Sequence, residues 1–124
     1  MRLLLATITS VMLGAFLSAE ETLPPAQLSP DQEITLLISI VENTDATFHR
    51  NGRSHTAEDG ADHLRLKYRR GAKYAKTTEV FIANLATKSS WSGKLYEIEF
   101  ADGSREPFGD WLTKKLRDLR TVSP

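Results

Sequence analysis

Apolar residues crowd the first seventeen positions and then fall into short periodic blocks separated by polar, glycine- and proline-containing stretches, each block predicting one element. Leu3 to Leu17 is a mostly apolar run interrupted by Thr7, Thr9, Ser10 and Gly14, preceded by Arg2 and followed by Ser18-Ala19 and Glu20-Glu21. A positive start, a short apolar stretch and a small-residue end are the parts of an export signal, and a bilayer span needs about 20 apolar residues, more than this run supplies. Residues 1–19 are therefore read as a signal peptide. Residues 20–28 contain Pro24-Pro25 and no apolar period, so they read as a flexible linker.

Order is expected to begin at Ser29. Ser29-Pro30-Asp31-Gln32 offers an N-cap, a proline at the first helical position and a capping-box glutamine, after which Ile34, Leu37, Ile38 and Val41 recur at helical spacing. Leu36 and Ile40 widen that stripe, predicting a largely buried helix that ends near Asn43 or Thr44. Thr47 to His55 reads as a hairpin about Asn51-Gly52, which tolerates the positive φ angles of a type I′ turn. A two-residue loop sets Phe48 opposite His55 and Arg50 opposite Arg53, all four on one face, with His49 and Ser54 on the other. Two arginines so placed repel unless a carboxylate or an anion lies between them.

Thr56 caps the next helix, with Glu58 and Asp59 in its first turn. Ala57, Ala61, Leu64 and Tyr68 share its inner face, Arg65 and Lys67 flank it, and Asp59, His63 and Leu66 lie on the far side, Leu66 there suggesting a second contact surface. Gly60 inside this helix costs about 1 kcal/mol relative to alanine, which calls for something packed close to it or a less regular helix. After Gly71 a basic linker leads to a third helix at Thr77 or Thr78, whose Val80, Phe81, Ile82, Leu85 and Ala86 place it centrally in the core. Leu95 to Phe100 alternates as a strand with Tyr96, Ile98 and Phe100 inward, Asp102-Gly103 turns the chain, and Pro107 confines the partner strand to an edge. A last helix runs from Pro107 or Asp110 to Leu119, with Trp111, Leu112, Leu116 and Leu119 inward. The expected class is α+β, a small single domain over residues 29–121, helix-dominated with about four helices and two short β-hairpins.

Composition narrows the chemistry. The chain has 124 residues, no cysteine, and methionine only at Met1 and Met12. Disulfides, thiolate metal sites, thiol nucleophiles and a lipobox are thereby excluded, so the product after cleavage is expected to be free of a lipid anchor and of stable membrane insertion. Cleavage after Ala19 leaves 105 residues with 15 basic and 16 acidic side chains, a balance that gives no general attraction to nucleic acid. Charge is nevertheless uneven: Arg65, Lys67, Arg69, Arg70, Lys73 and Lys76 follow one another without an acid, interleaved with Tyr68 and Tyr74. Aromatics among cations suit a single-strand binder, but export and neutrality argue instead for lipid phosphates or acidic wall polymers, or for a simple solvated helix end.

His49, His55 and His63 are spaced by six and eight residues, which matches no zinc signature, and no metal or cofactor is expected. Asp59 and His63, four apart, are expected to make a helical ion pair. Ser89, Ser90 and Ser92 are available nucleophiles with His55 or His63 as base, yet there is no G-x-S-x-G elbow and no Ser-x-x-Lys pair, and serines beside glycine commonly close a turn. Two functional hypotheses remain. One is a non-enzymatic module that uses Arg50, His55, His63, Arg65, Lys67, Ser90 and Ser92 to hold an anionic cell-envelope component or an envelope protein. The other is a small hydrolase or transferase built on a His/Ser pair. The same polar groups serve as readily to tie hairpin to helix by internal hydrogen bonds.

The blocks Phe48-His49-Arg50-Asn51-Gly52-Arg53-Ser54-His55-Thr56, His63-Leu64-Arg65-Leu66-Lys67, Thr77-Thr78-Glu79-Val80-Phe81-Ile82 and Ser89-Ser90-Trp91-Ser92-Gly93-Lys94-Leu95-Tyr96 together resemble the YfeK-like family of small exported bacterial proteins, a domain of unknown function. Asp59-Gly60 stands where that family usually has alanines, and Leu95 where it commonly has proline. The resemblance implies an exported bacterial protein and supplies no chemistry; with the signal at 1–19 and no lipobox, the expected location is the periplasm.

Overall fold

The computed structural model describes residues 27–122. The signal peptide expected at 1–19 lies outside the described residues, as does all of the linker before residue 27. The first helix, α1, spans Pro30–Glu42 and opens with the complete capping box: Ser29 Oγ accepts the Gln32 N–H at 3.1 Å while Gln32 Oε1 accepts the Ser29 N–H at 2.9 Å. Its inner stripe is narrower than expected. Ile34, Leu37, Ile38 and Val41 are buried, whereas Leu36 is 41% exposed.

Strands β1 (Thr47–Arg50) and β2 (Arg53–Thr56) pair in the register the two-residue turn requires, Phe48 with His55 and Arg50 with Arg53. Asn51 at φ 53° and Gly52 at φ 77° supply the left-handed pair of a type I′ turn. Helix α2 (Ala57–Gly71) is capped by Thr56 Oγ1, which accepts the Asp59 N–H at 3.1 Å. Gly60 is explained by Phe48: a Cβ at that position would stand 2.9 Å from Phe48 Cγ, so only glycine lets the helix lie this close to the sheet. The segment after Gly71, read from sequence as a linker, begins with a 3-10 turn at Ala72–Tyr74.

Helix α3 (Thr78–Leu85) buries Phe81, Ile82 and Leu85 but leaves Val80 exposed, so one side of it meets solvent despite the nearly continuous apolar sequence. Strands β3 (Glu97–Glu99) and β4 (Arg105–Pro107) form the second hairpin, and helix α4 (Phe108–Val122) closes the domain. The two hairpins are not separate. Strand β1 also pairs with β3, Phe48 against Ile98, giving one four-stranded antiparallel sheet in the order β2-β1-β3-β4. The class is α+β, as expected.

Alternation divides the sheet into two unlike faces. One carries His49, Glu97, Glu99 and Arg105 in an ionic ladder, with His49 Nε2 at 2.7 Å and Arg105 Nη2 at 3.2 Å from Glu99 Oε1. The other presents Phe48 and Ile98 to the helices, and the Phe48 ring meets the rings of Phe108 at 5.0 Å and Tyr96 at 5.3 Å between centroids. The core continues through Ile34, Leu37, Leu64, Phe81 and Leu112, all with no exposed surface. Burying such side chains contributes about 1.5–3 kcal/mol each, enough for a domain of this size to fold without cross-links.

Charge reinforces the helix packing at one place. Arg120 on α4 donates from Nε to Glu33 Oε2 at 2.9 Å and from Nη1 to Glu79 Oε2 at 2.7 Å, and Thr78 Oγ1 donates to Glu33 Oε1 at 2.6 Å. These contacts join α1, α3 and α4. The Arg120 hydrogen bonds hold the Glu33 and Glu79 carboxyls below the usual carboxylate range despite some desolvation, so both stay ionised.

Candidate functional site

Away from that helix cluster, the polar side of α2 lies against Arg50 at the end of β1. His63, Leu66, Lys67 and Arg70 recur at i, i+3, i+4 and i+7 and so form one stripe along the helix, which faces Arg50 from β1 and the loop between α3 and β3. Together with Ser89, Ser90, Trp91 and Tyr96 they line a pocket of about 380 Å³. No carboxylate is among the lining residues.

Local hydrogen bonding fixes that loop. Ser89 is buried, and its Oγ accepts the N–H groups of Trp91 and Ser92, each at 3.2 Å, and the side-chain amide of Asn51 at 3.3 Å. Ser92 donates its hydroxyl to Asn51 Oδ1, and the Ser89 N–H donates to the Lys94 carbonyl at 2.9 Å. Asn51 can reach both serines because the hairpin turn holds it in the left-handed region, so the turn and the loop brace one another.

A hydrogen-bonded chain lies on the pocket wall. Lys67 Nζ donates to the Lys88 carbonyl and to the Tyr96 phenol oxygen, both at 3.1 Å, and the phenol lies 3.1 Å from His63 Nε2. Lysine can only donate, so the Tyr96 oxygen accepts from Lys67, and the direction of the Tyr96–His63 bond follows the imidazole tautomer. Burial, with Arg50 and Lys67 nearby, pushes the His63 pKa down to about 4, so the ring is neutral near pH 7. Burial and the Arg50 charge also lower Lys67, and burial raises Tyr96. Among the described residues, Arg50, Lys67 and Arg70 have no carboxylate partner. A concavity lined by three cations and several hydroxyls, with no carboxylate among them, carries a positive potential.

Of the residues singled out from sequence, Arg50, His63, Lys67 and Ser90 come together here. Arg65 does not: its guanidinium pairs with Glu42 at 2.6 Å and Asp62 at 2.9 Å, joining α2 to α1. Residues two apart on a helix diverge by about 200°, so Arg65 and Lys67 could not share one site. Ser92 is committed to Asn51 and the Lys94 N–H, and does not line the pocket. His55 stacks obliquely near Phe48, and its Nε2 is buried without a hydrogen-bond partner among the described residues. The expected Asp59–His63 ion pair is not formed, because His63 turns toward Tyr96. From the sequence, Arg70 counts only as part of the basic stretch and Tyr96 as an inward strand position within a resembling block, and Trp91 has no role of its own. A tyrosine at a core position is itself a signal, since its buried hydroxyl needs a partner.

Hydrolytic chemistry would require a histidine nitrogen hydrogen-bonded to a serine hydroxyl in this pocket. None joins His55 or His63 to Ser90 or Ser92 among the described residues. Nor do three histidine, aspartate or glutamate side chains group closely enough to hold a metal ion there.

The fold and pocket thus define a small α+β domain with a basic cleft and no assembled nucleophile. The chain belongs to DUF5329, a family of unknown function, which it matches over residues 28–120. It is 39% identical over 61 residues to the uncharacterized protein YfeK of Salmonella typhimurium, an alignment covering 49% of this chain and 51% of that protein. The matching segment therefore spans about half the length of that curated relative. No solved structure matches the chain.

Proposed function

We propose that this protein is an exported binding module whose pocket holds an anionic group, phosphate or carboxylate, of a cell-envelope partner, and that it binds that group without transforming it. The observation that supports this reading most is the acid-free lining itself, in which Arg50 from the hairpin meets Lys67 and Arg70 from α2 with no carboxylate among them, while Arg53, opposite Arg50 in the register, lies outside the pocket. Like charges gathered in one concavity raise each other's cost, as Arg50 does for Lys67, and a bound anion removes that cost. Export rests on the amino-terminal pattern of residues 1–19; among the described residues no helix is long and apolar enough to cross a membrane.

The test is thermal unfolding in inorganic phosphate against chloride at matched ionic strength. A ligand that binds only the folded state raises the melting temperature with its concentration. Phosphate is expected to stabilise the native chain, and Arg50→Ala to abolish that rise while leaving the melting temperature in chloride nearly unchanged. An Arg50→Ala variant that loses much stability in chloride yet keeps its response to phosphate would show the arginine to be structural and end this reading. The hydrolase or transferase reading survives only if a Ser90→Ala variant loses a measurable turnover.

A further inference from the structure

Trp91 is 88% exposed, the most exposed large apolar side chain among the described residues. Its loop is not loose. Ser89 accepts the Trp91 backbone N–H, and Asn51 fastens Ser89 and Ser92 to the hairpin turn, so the indole is presented from a fixed base. The fold gains nothing from holding such a surface in water, for a tryptophan buries about 150–250 Å² where it is used for packing. The same side chain lines the pocket that contains Arg50, Lys67 and Arg70. A flat apolar face next to a group of cations fits a molecule with an anionic substituent on a ring that has both an apolar side and hydroxyls.

We infer that this molecule is an acidic saccharide: its phosphate or carboxylate lies among Arg50, Lys67 and Arg70, and the sugar ring it is attached to rests on the indole of Trp91. This deepens the anion-binding reading and rests on it. The Ser90 hydroxyl and His63 Nδ1 have no protein partner among the described residues and are free to meet ring hydroxyls. A volume of about 380 Å³ is near the low end of small-molecule sites, which run from roughly 300 to 1,000 Å³, and suits one or two rings. An aminated nucleobase would need in-plane acceptors, and of the lining hydroxyls Ser89 Oγ and the Tyr96 oxygen already accept from neighbours, which leaves Ser90. A lipid surface needs several apolar anchors in one plane, whereas here the cations sit in a concavity and only Trp91 and Leu95 are exposed apolar residues of the loop.

Trp111 is 93% buried and Trp91 is not, so a ligand at the pocket changes the fluorescence of Trp91 selectively. The native protein is titrated with glucose 6-phosphate, glucuronate, glucose, inorganic phosphate, acetate, adenosine monophosphate and phosphatidylglycerol vesicles, and calorimetry repeats the series on Trp91→Ala and Arg50→Gln. Glucose 6-phosphate is expected to bind at least about tenfold tighter than phosphate, or glucuronate about tenfold tighter than acetate, and the arm that does so identifies the acidic group. Trp91→Ala removes that ratio, and Arg50→Gln weakens every anion. Equal binding of sugar phosphate and phosphate, unaffected by Trp91→Ala, overturns the saccharide assignment and leaves the anion site standing. Tighter binding of the nucleotide or of vesicles than of either acidic sugar also overturns it. Absence of binding by every anion removes both readings.

Discussion

Arg120 and Arg50 share no partner and show what the same side chain does under two different constraints. Arg120 reaches Glu33 and Glu79 through four contacts of 2.7 to 3.2 Å, with Thr78 completing the hydrogen bonding of Glu33. Arg50 faces Arg53, lies near Lys67 and His63, and has no acid within ion-pairing distance among the described residues. In the first cluster each charge lowers the cost of its neighbour, so that a nearly buried glutamate persists as an anion. In the second each positive group raises the cost of the next: Lys67 is lowered and His63 falls to about 4, by burial first and by neighbouring charge second. Like charges left together add nothing to stability by themselves, and that is the contrast on which the proposed anion site rests.

Arg120→Ala breaks the balanced cluster and has the largest expected effect. It strands Glu33, whose side chain is 10% exposed, but Arg120 itself is 46% exposed and solvent screens part of the loss. The expected destabilisation is about 2 kcal/mol in urea unfolding, with Glu79→Gln costing less because Glu79 remains in water. An Arg120→Ala protein as stable as the parent would mean that the cluster is ornamental and the contrast with Arg50 empty.

The next effect tests the unbalanced end through pH. His63 titrates near 4 in the folded protein against 6.5 for a free histidine, so between those values the unfolded chain carries the proton and the folded chain does not. Stability is therefore complete above pH 6.5, declines as pH falls from 6.5 to 4, and loses nothing further from this group below 4. Because the ring is only partly buried, the decline attributable to it is reduced by screening to about 1–2 kcal/mol. The groups facing it are Arg50, Lys67, His55 and Tyr96; Glu33 and Glu79 lose their contribution only below the ordinary carboxylate range, outside most of this window. His63→Gln should flatten the slope of unfolding free energy between pH 6.5 and 4.5. A slope unchanged by that substitution assigns the acid sensitivity elsewhere.

The two regions were not equally legible in the sequence. The hairpin register, and with it the opposition of Arg50 and Arg53, followed from Asn51-Gly52 alone, because a two-residue turn leaves no freedom in which residues face. The Ser29 capping box and the glycine at 60 were likewise local statements. The Glu33–Arg120 contact was not legible, since nothing local marks two residues 87 apart as neighbours. The union of the hairpins through Phe48 and Ile98 had the same obstacle. The pocket was half visible. His63, Leu66, Lys67 and Arg70 already form a helical stripe in the sequence, but grouping cations by proximity along the chain drew in Arg65, which the 3.6-residue period sends to Glu42. Ser92 and Asn51 were obscured for a different reason: a hydroxyl that serves a turn and one that serves a ligand have the same sequence signature.

Arg65→Ala separates these two kinds of cation at smaller cost. Its partners Glu42 and Asp62 are well exposed, so the melting temperature is expected to fall by no more than about a degree or two. Phosphate stabilisation should survive intact, because Arg65 lies off the pocket. Loss of the phosphate response in this variant would move the anion site to the α1–α2 side and discard the pocket.

The smallest change in stability, and the most discriminating, belongs to Arg50→Ala. Removing one of two opposed arginines relieves repulsion with Arg53 and with Lys67, while the aliphatic stem of Arg50 contributes some packing that is lost. The two nearly cancel, so the unfolding free energy in chloride should lie within about 0.5 kcal/mol of the parent, on the stabilising side. The same substitution reduces the positive charge beside His63, whose folded pKa must then rise, and the pH dependence between 6.5 and 4 becomes shallower in parallel. Bound phosphate acts in the same direction by placing negative charge near the ring, so ligand and substitution should each reduce the pH slope of the parent. Phosphate added to Arg50→Ala should then change little. If phosphate flattens the variant's slope as much as the parent's, the anion does not sit beside Arg50, and the grouping of Arg50 with Lys67 and Arg70 has no ligand to account for it.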